Sequence, residues 1–338
     1  MKRINNIYEK VISIENLELA DKNAQKGKTN YGITKHNKNK KNNIKQLHDE
    51  LEQEIFEFSK YEIMIIQEYG KEREIKKTPY FPDHILHHAI MQQLTAIFIK
   101  TFTKDTYACI KERGIHKCRK NIVKDLNNDK EGTKYCLKTD IRHFYQSIDN
   151  QTLKTLFRKK IKDKKMIGLL DKLIDTTKGL PMGNYTSQSF ANFYLSEFDH
   201  FVKEKLKVKY YYRYCDDMIF LSDDKSFLRE ILKEITKYLD EKLKLTIKKN
   251  YQIFPTDKRG IDFIGFRFYH THILIRKRIK KKFCQKVAKL NKKKETTIQQ
   301  YKTEIASWLG WCKYTNSKHL ITKIIKEDYA NTIKAQIS

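Results

Sequence analysis

At 338 residues the chain is long enough for a large core divided over two or three lobes, and its 39% of hydrophobic residues excludes a basic disordered tail. With 70 Lys and Arg against 41 Asp and Glu, the formal charge is +29, which on a folded chain points to a polyanionic partner; 20 Tyr and 18 Phe offer stacking surfaces. The six cysteines (Cys109, Cys118, Cys136, Cys215, Cys284, Cys312) form no CxxC pair, which indicates neither a zinc site nor a disulfide framework and fits a reducing cytoplasm. No apolar run approaches about 18 residues and the N-terminus lacks a signal-peptide core, so no membrane association is expected.

Residues 1–45 are polar and basic, and the Lys/Asn-rich stretch 35–45 reads as a flexible loop or arm. Residues 47–58 are helical in pattern. Tyr61 to Gln67 reads as a strand, Gly70 as a turn, and Arg73 to Thr78 as a second strand. Asp83 is placed to cap a helix running to about Phe98, with Ile85, Leu86, Ala89, Ile90 and Leu94 on its buried face. The adjacent His87 and His88 cannot share one helix face, which favours core or groove histidines over metal ligands. Gly114 breaks the chain before the next helix. Lys111, Arg113 and Lys117 around it form a basic loop that could clamp a triphosphate or a template.

Tyr135 to Asp140 is a short apolar strand ending in a carboxylate, with the Ile141 carbonyl next to it; Asp149 reads as the cap of a helix beginning near Gln151. Gly179 to Gln188 (GLPMGNYTSQ) is a Gly-rich loop before a helix carrying Phe190, Phe193, Tyr194 and Phe198, which lets backbone approach a base pair or phosphate. Next comes KYYYRYCDDMIFLS (209–222). Five of the six residues from Tyr210 to Cys215 are aromatic or apolar, and Met218 to Leu221 are apolar again. The pattern predicts a tight β-hairpin with Asp216 and Asp217 at its tip. An isolated Asp-Asp pair reads as a solvated turn. Held between apolar strands and joined by Asp140, it makes the three-carboxylate set that binds Mg²⁺ for nucleotidyl transfer, with two ions about 4 Å apart.

A helix is expected from about Lys225 to Leu243 and a strand from Leu245 to Ile253. Gly260 to Phe268 reads as a strand pair in which Gly265 allows close backbone approach. Beyond it the chain turns basic (Arg276 to Lys282), with three helices expected between about 278 and 336 and two tryptophans in SWLGWCKY. Basic faces interleaved with aromatic residues suit a duplex backbone.

The order of KEREI (71–75), ACIKERGIHK (108–117), LKTDIRHFYQSID (137–149), GLPMGNYTSQSFANFYL (179–195), YCDD (214–217) and DFIGFRF (262–268) resembles a reverse transcriptase. Met182-Gly183-Asn184 followed by Ser187-Gln188, with the SWLGW block, looks like the reverse transcriptase of diversity-generating retroelements, relatives of the group II intron and retron enzymes. The resemblance implies an α+β right-hand polymerase fold. Its parts would be a basic N-terminal extension (1–45), fingers (46–134), a palm made of a small antiparallel sheet backed by helices (135–275), and a helical thumb (276–338). It implies two Mg²⁺ ions on Asp140, Asp216, Asp217 and the Ile141 carbonyl, with dNTP substrates. Arg73, Lys111, Arg113, Tyr145, Met182, Gly183, Asn184 and Gln188 would surround the nucleotide, Tyr145 as the gate against a ribose 2′-hydroxyl. Ile110 stands where related enzymes have an arginine, with Lys111 or Arg113 as substitutes. Phe263, Ile264 and Gly265 would grip the primer. Arg276, Lys277, Arg278, Lys280, Lys281 and Lys282 would contact the nucleic-acid backbone, and Lys248 or Lys249 would protonate pyrophosphate.

The resemblance further implies a cytoplasmic, bacterial or phage-encoded RNA-directed DNA polymerase. Its partners would be a template RNA, the RNA/cDNA duplex and a small basic pentameric accessory protein. It would copy a template repeat with errors at adenines, for mutagenic retrohoming. No endonuclease, maturase or integrase domain is expected after the thumb. The alternatives are a bacterial defence, orphan or retron-like reverse transcriptase and, in a different class, a catalytically silent RNA-binding subunit.

Overall fold

The computed structural model describes residues 3–68, 70–293, 297–326, 329, 330 and 333. Two compact units emerge, one of residues 1–114, 140–208 and 233–249, the other of residues 115–139, 209–232 and 250–338. No helix among the described residues is long and apolar enough to cross a membrane.

In the first unit four helices open the chain: Tyr8–Ile12, Ile14–Gln25, Tyr31–Lys38 and Lys40–Glu52. The flexible loop expected at 35–45 is therefore helical. Ile33 and His36 fall one turn apart, as do Ile44, Leu47 and Leu51, and all five are buried. Three or four residues between apolar anchors is the helical period, and Lys and Asn fill the outer face. Asn30 caps the third helix by accepting the Ile33 N–H at 3.0 Å. The helix expected over 47–58 stops at Glu52, because Glu54 takes a left-handed φ of +60°.

β1 (Glu62–Glu68) and β2 (Lys71–Lys77) form an antiparallel ribbon turning at Gly70. The helix Ile85–Thr101 follows, buried at Ile85, Leu86, Ala89, Ile90 and Leu94 as its pattern predicted. Asp83 does not cap it. A wide turn over Tyr80–His84 intervenes, and the Asp83 carboxylate accepts the Ser59 N–H at 2.9 Å and the Ser59 hydroxyl at 2.6 Å. Phe98, Phe157, Phe190 and Phe193 make an aromatic centre with ring centroids 4.8–6.1 Å apart. The helix Asn150–Lys160 is capped by Asp149, which accepts the Thr152 N–H at 2.8 Å.

β3 (Tyr135–Asp140, in the second unit up to Thr139), β4 (Tyr210–Tyr214), β5 (Asp217–Ser222) and β6 (Gln252–Pro255) form one sheet in the order β4-β5-β3-β6. The strand expected over 245–253 is shorter and later than predicted: β6 pairs with β3, while Ile247 makes a single bridge to Ile141. β7 (Ile261–Phe263), β8 (Phe266–Phe268) and β9 (Ile273–Ile275) form a three-stranded antiparallel sheet. Among the described residues the helices Lys277–Asn291, Ile298–Cys312 and Lys318–Ile324 follow, around Phe283, Val287, Leu290, Tyr301, Ile305 and Ile321; the end of the helical stretch expected to about 336 lies outside the described residues.

Candidate catalytic and nucleic-acid-binding residues

The acidic hairpin is set by strand register. Tyr214 pairs with Asp217, which leaves Cys215 and Asp216 as a two-residue turn. Such turns need a positive φ at a central position, usually supplied by glycine. Here Cys215 supplies it, at φ +54°, a conformation that stores strain in a residue with a side chain. The fully buried Arg213 braces the turn by donating Nη1–H to the Cys215 carbonyl at 3.0 Å. The strand below is fixed by its tyrosines: Tyr210 donates its hydroxyl to Asp129 at 2.6 Å and Tyr212 donates to Asp125. Lys209 and Tyr210 together hold the Asp129 carboxyl well below the usual carboxylate range. Met218 to Leu221 are buried, while Asp216 and Asp217 stay half-exposed at the tip.

Asp140 ends β3, the strand beside β5. Past it the Lys248 N–H donates to the Asp140 carbonyl and the Arg142 N–H to the Thr246 carbonyl, both at 2.8 Å. These two bonds flank the Ile141–Ile247 bridge and leave the Ile141 carbonyl outside the pair. The register sets Lys248 opposite Asp140, with Nζ 2.6 Å from Oδ1. That oxygen is buried and receives no hydrogen bond of good geometry, so Lys248 meets it as an ion pair. A buried carboxylate oxygen beside an ammonium is a hard oxygen donor of the kind divalent cations take. Asp140 and the Ile141 carbonyl in the first unit, and Asp216 and Asp217 in the second, are oxygen donors of that kind.

The predicted nucleotide residues gather in the first unit. The Lys76 N–H donates to the Met182 carbonyl at 2.8 Å, joining β2 to the loop 179–188. Gly183 takes φ +116°, and a Cβ there would lie 2.8 Å from the Lys76 carbonyl oxygen. Asn184 is buried and donates Nδ2–H to the Tyr61 hydroxyl at 3.0 Å, which itself pairs with Thr176 at 2.6 Å. The Leu180 N–H donates to the Tyr145 carbonyl at 2.8 Å, and a Cβ on Gly179 would reach the same oxygen at 2.7 Å. Gln188 accepts the Cys109 thiol at 3.0 Å. Tyr145, Met182, Gly183, Asn184 and Gln188 thus belong to one loop assembly on β2. Arg73 lies further along β2, exposed, with Nε 2.8 Å from Glu68. Lys111 is exposed in the turn after the buried Ile110. Arg113 donates its Nη1 to the Thr103 and Thr106 carbonyls.

In the second unit Ile264 and Gly265 form the turn between β7 and β8, at φ +44° and +90°, and Phe263 is buried beneath it. A Cβ on Gly265 would come within 2.5 Å of the Trp311 ring, so only glycine lets the indole close over the turn. Arg276 pairs with Asp262 at 2.5 Å. Lys277, Arg278, Lys280, Lys281 and Lys282 are exposed on the following helix, whose other side buries Phe283, Val287 and Leu290.

Sequence reasoning missed two supporting residues and the partner of a third. Arg213 had a signal, a lone arginine inside an apolar strand. Tyr61 had none, because its partner Asn184 is 123 residues away. Lys248 is expected at pyrophosphate, but its pairing with Asp140 depends on the Ile141–Ile247 bridge, and Ile141 lies one residue past the predicted strand Tyr135 to Asp140.

The protein-family model described as "Reverse transcriptase (RNA-dependent DNA polymerase)" matches residues 70–268, more than half of the chain. Among curated proteins, the "Group II intron-encoded protein LtrA" of Lactococcus lactis subsp. cremoris is 30% identical over 143 residues, covering 39% of this chain and 23% of that protein. The "Putative COX1/OXI3 intron 2 protein" of Saccharomyces cerevisiae is 22% identical over 202 residues, covering 39% and 24%. The chain spans about a quarter of the length of these relatives. Among solved structures, apo telomerase from Candida tropicalis truncated from the C-terminal domain matches with TM-score 0.51 and 14% identity, over 65% of this chain and 55% of that one. Telomerase from Candida albicans in complex with a TWJ fragment of telomeric RNA matches with TM-score 0.50 and 10% identity, over 84% and 60%. The structural likenesses show the fold, an α+β right-hand polymerase fold. By the match over residues 70–268, the chain belongs to the reverse transcriptase (RNA-dependent DNA polymerase) family.

Proposed function

We propose that this chain is an RNA-directed DNA polymerase working by nucleotidyl transfer at Asp140, Asp216 and Asp217. The observation that carries the reading is the strained Cys215-Asp216 turn at the head of β5, beside the strand that ends in Asp140. Two Mg²⁺ ions, when bound, would activate the primer 3′-hydroxyl and stabilise the departing pyrophosphate. The chain's own part is to position. The three aspartates and the Ile141 carbonyl hold the ions, and the loop Met182–Asn184 with Tyr145 bounds the nucleotide, Tyr145 against a 2′-hydroxyl. Arg73 and Lys111 meet the triphosphate. The turn at Phe263–Gly265 holds the primer end, and Arg276, Lys277, Arg278, Lys280, Lys281 and Lys282 meet the nucleic-acid backbone. In this reading residues 46–134 serve as fingers, 135–275 as palm and 276–338 as thumb.

Within the family we place the chain with the diversity-generating retroelement enzymes. Met182-Gly183-Asn184 with Ser187-Gln188 supports this, as does the SWLGW block. The partners are then a template-repeat RNA and a small basic pentameric accessory protein in a bacterial cytoplasm. Primer extension on an RNA template, with and without such a protein, followed by sequencing of the cDNA, tests both levels. Substitutions concentrated opposite template adenines are expected. Faithful cDNA would refute the retroelement assignment and keep the polymerase.

A further inference from the structure

The loop 179–188 carries one side chain that neither the fold nor the reaction described above uses. Tyr185 keeps 47% of its surface in water, although its neighbours Asn184, Thr186 and Ser187 are buried. Its ring lies flat on His88, with centroids 3.7 Å apart and planes 9° from parallel. His84, one helical turn before His88, sets its edge against both rings, at 4.9 Å from His88 and 6.3 Å from Tyr185. Lys28 Nζ lies 3.2 Å from His84 Nε2. Burial pushes both His84 and His88 down to about 4, so the stack is neutral near pH 7 and Lys28 supplies its positive charge. All four residues belong to the first unit.

Three features make this a platform and not a stray surface tyrosine. The ring is backed over one face by a buried imidazole. Its backbone is fixed on both sides, on one by the Asn184–Tyr61 hydrogen bond and on the other by the Ser187 hydroxyl bonded to the Pro181 carbonyl at 2.6 Å. A cation stands at the edge of the stack. A rigid aromatic face beside a cation fits a nucleobase with its phosphate. A base inside a duplex has both faces covered by its neighbours, so only an unpaired base can use the platform.

We propose that Tyr185, backed by His88 and His84, is a stacking site for one unpaired nucleobase of a single-stranded nucleic acid, with Lys28 on its phosphate. That the strand is the template rests on the polymerase reading above; the stacking itself does not.

The test uses the full chain and three ligands: a single-stranded RNA carrying one 2-aminopurine, the same DNA strand, and a fully paired duplex. Tyr185→Phe should bind like the wild type. Tyr185→Leu should weaken binding of both single strands by about 5- to 150-fold and remove the 2-aminopurine quenching, with little change on the duplex. Lys28→Gln should lower the salt slope of single-strand binding by about one. Tyr185→Leu binding single strands within about twofold of the wild type overturns the proposal. So does an equal loss on the duplex, and so does Tyr185→Phe behaving like Tyr185→Leu. If Tyr185→Leu does not fold, absence of 2-aminopurine quenching by wild type and Tyr185→Phe alike overturns it. Primer extension on the same preparations separates the two readings. Extension without quenching refutes the platform alone, and quenching without extension refutes the polymerase alone.

Discussion

In the unit of residues 1–114, 140–208 and 233–249, Asp140 and Arg73 stand on strands, but the candidates of the segment 182–188 are held by bonds between segments far apart in sequence: Met182 to Lys76, Asn184 to Tyr61, Gln188 to Cys109. In the unit of residues 115–139, 209–232 and 250–338, Asp216, Asp217 and Gly265 stand at hairpin turns and are held by register: Asp217 opposite Tyr214, Gly265 between β7 and β8. A register-held site is placed by main-chain bonds and by turn residues that accept positive φ. A loop-held site depends on a few side chains, and each of them can be removed singly. The carboxylates should therefore tolerate isosteric replacement without structural loss, while the nucleotide loop should respond to changes well outside it.

The largest effect expected is chemical. Asp217→Asn keeps the side chain's shape at the head of β5 and should lower cDNA synthesis by orders of magnitude. Its thermal melting should stay near that of the wild type, which calorimetry would check. A melting loss as large as the activity loss would break the claim that register alone places the hairpin.

Next is Gly265→Ala. The new Cβ meets the Trp311 ring at 2.5 Å in a backbone at φ +90°, so the variant should lose roughly 2–4 kcal/mol in urea unfolding. An unchanged midpoint would show that the indole swings aside freely.

Tyr61→Phe sharpens the other side of the comparison. It deletes one hydroxyl and leaves both Asn184 Nδ2 and Thr176 Oγ1 without that partner. The expected loss is about 1–2 kcal/mol, with a raised KM for dNTP and a smaller change in kcat. If KM is unmoved, the Asn184 anchor does not shape the loop.

The last effect is set by pH and is the smallest per unit of the variable that drives it. His87 is fully buried, and burial pushes its imidazole down to about 3. A histidine in the unfolded chain takes up a proton near pH 6.5, and His87 in the folded chain does not. The unfolded state therefore binds more protons between about pH 6.5 and 3, and stability falls as pH drops through that window. The contribution is about 1 kcal/mol per pH unit, and His87→Phe should flatten the fall between pH 6.5 and 5. An identical pH slope in the variant would contradict it.

The same contrast explains what could be read from the sequence. Turns and caps have local grammar. The β4–β5 hairpin, the Gly265 turn, the Asp149 cap and the helix Lys225–Leu243 each follow from residues within a few positions of one another. The helices over residues 31–52 were hidden because Lys and Asn dominate the composition, while the anchors Ile33, His36, Ile44, Leu47 and Leu51 are few and divided between two short helices. Asp83 resembled a helix cap because the wide turn before Ile85 leaves no mark in the sequence, and its partner Ser59 lies 24 residues away. For the candidate site, the acidic residues were legible as a pattern, but the braces around them were not. The Arg213 bond to the Cys215 carbonyl and the Lys248 pairing with Asp140 arise only once the chain is folded.

The most direct measurement is divalent-cation-dependent dNTP incorporation on a primed RNA template, wild type beside Asp216→Asn, with RNA binding followed on the same samples. The account predicts cDNA from the wild type only when the cation is present, none above background from Asp216→Asn, and equal RNA affinity for the two proteins. Undiminished synthesis by Asp216→Asn would contradict it.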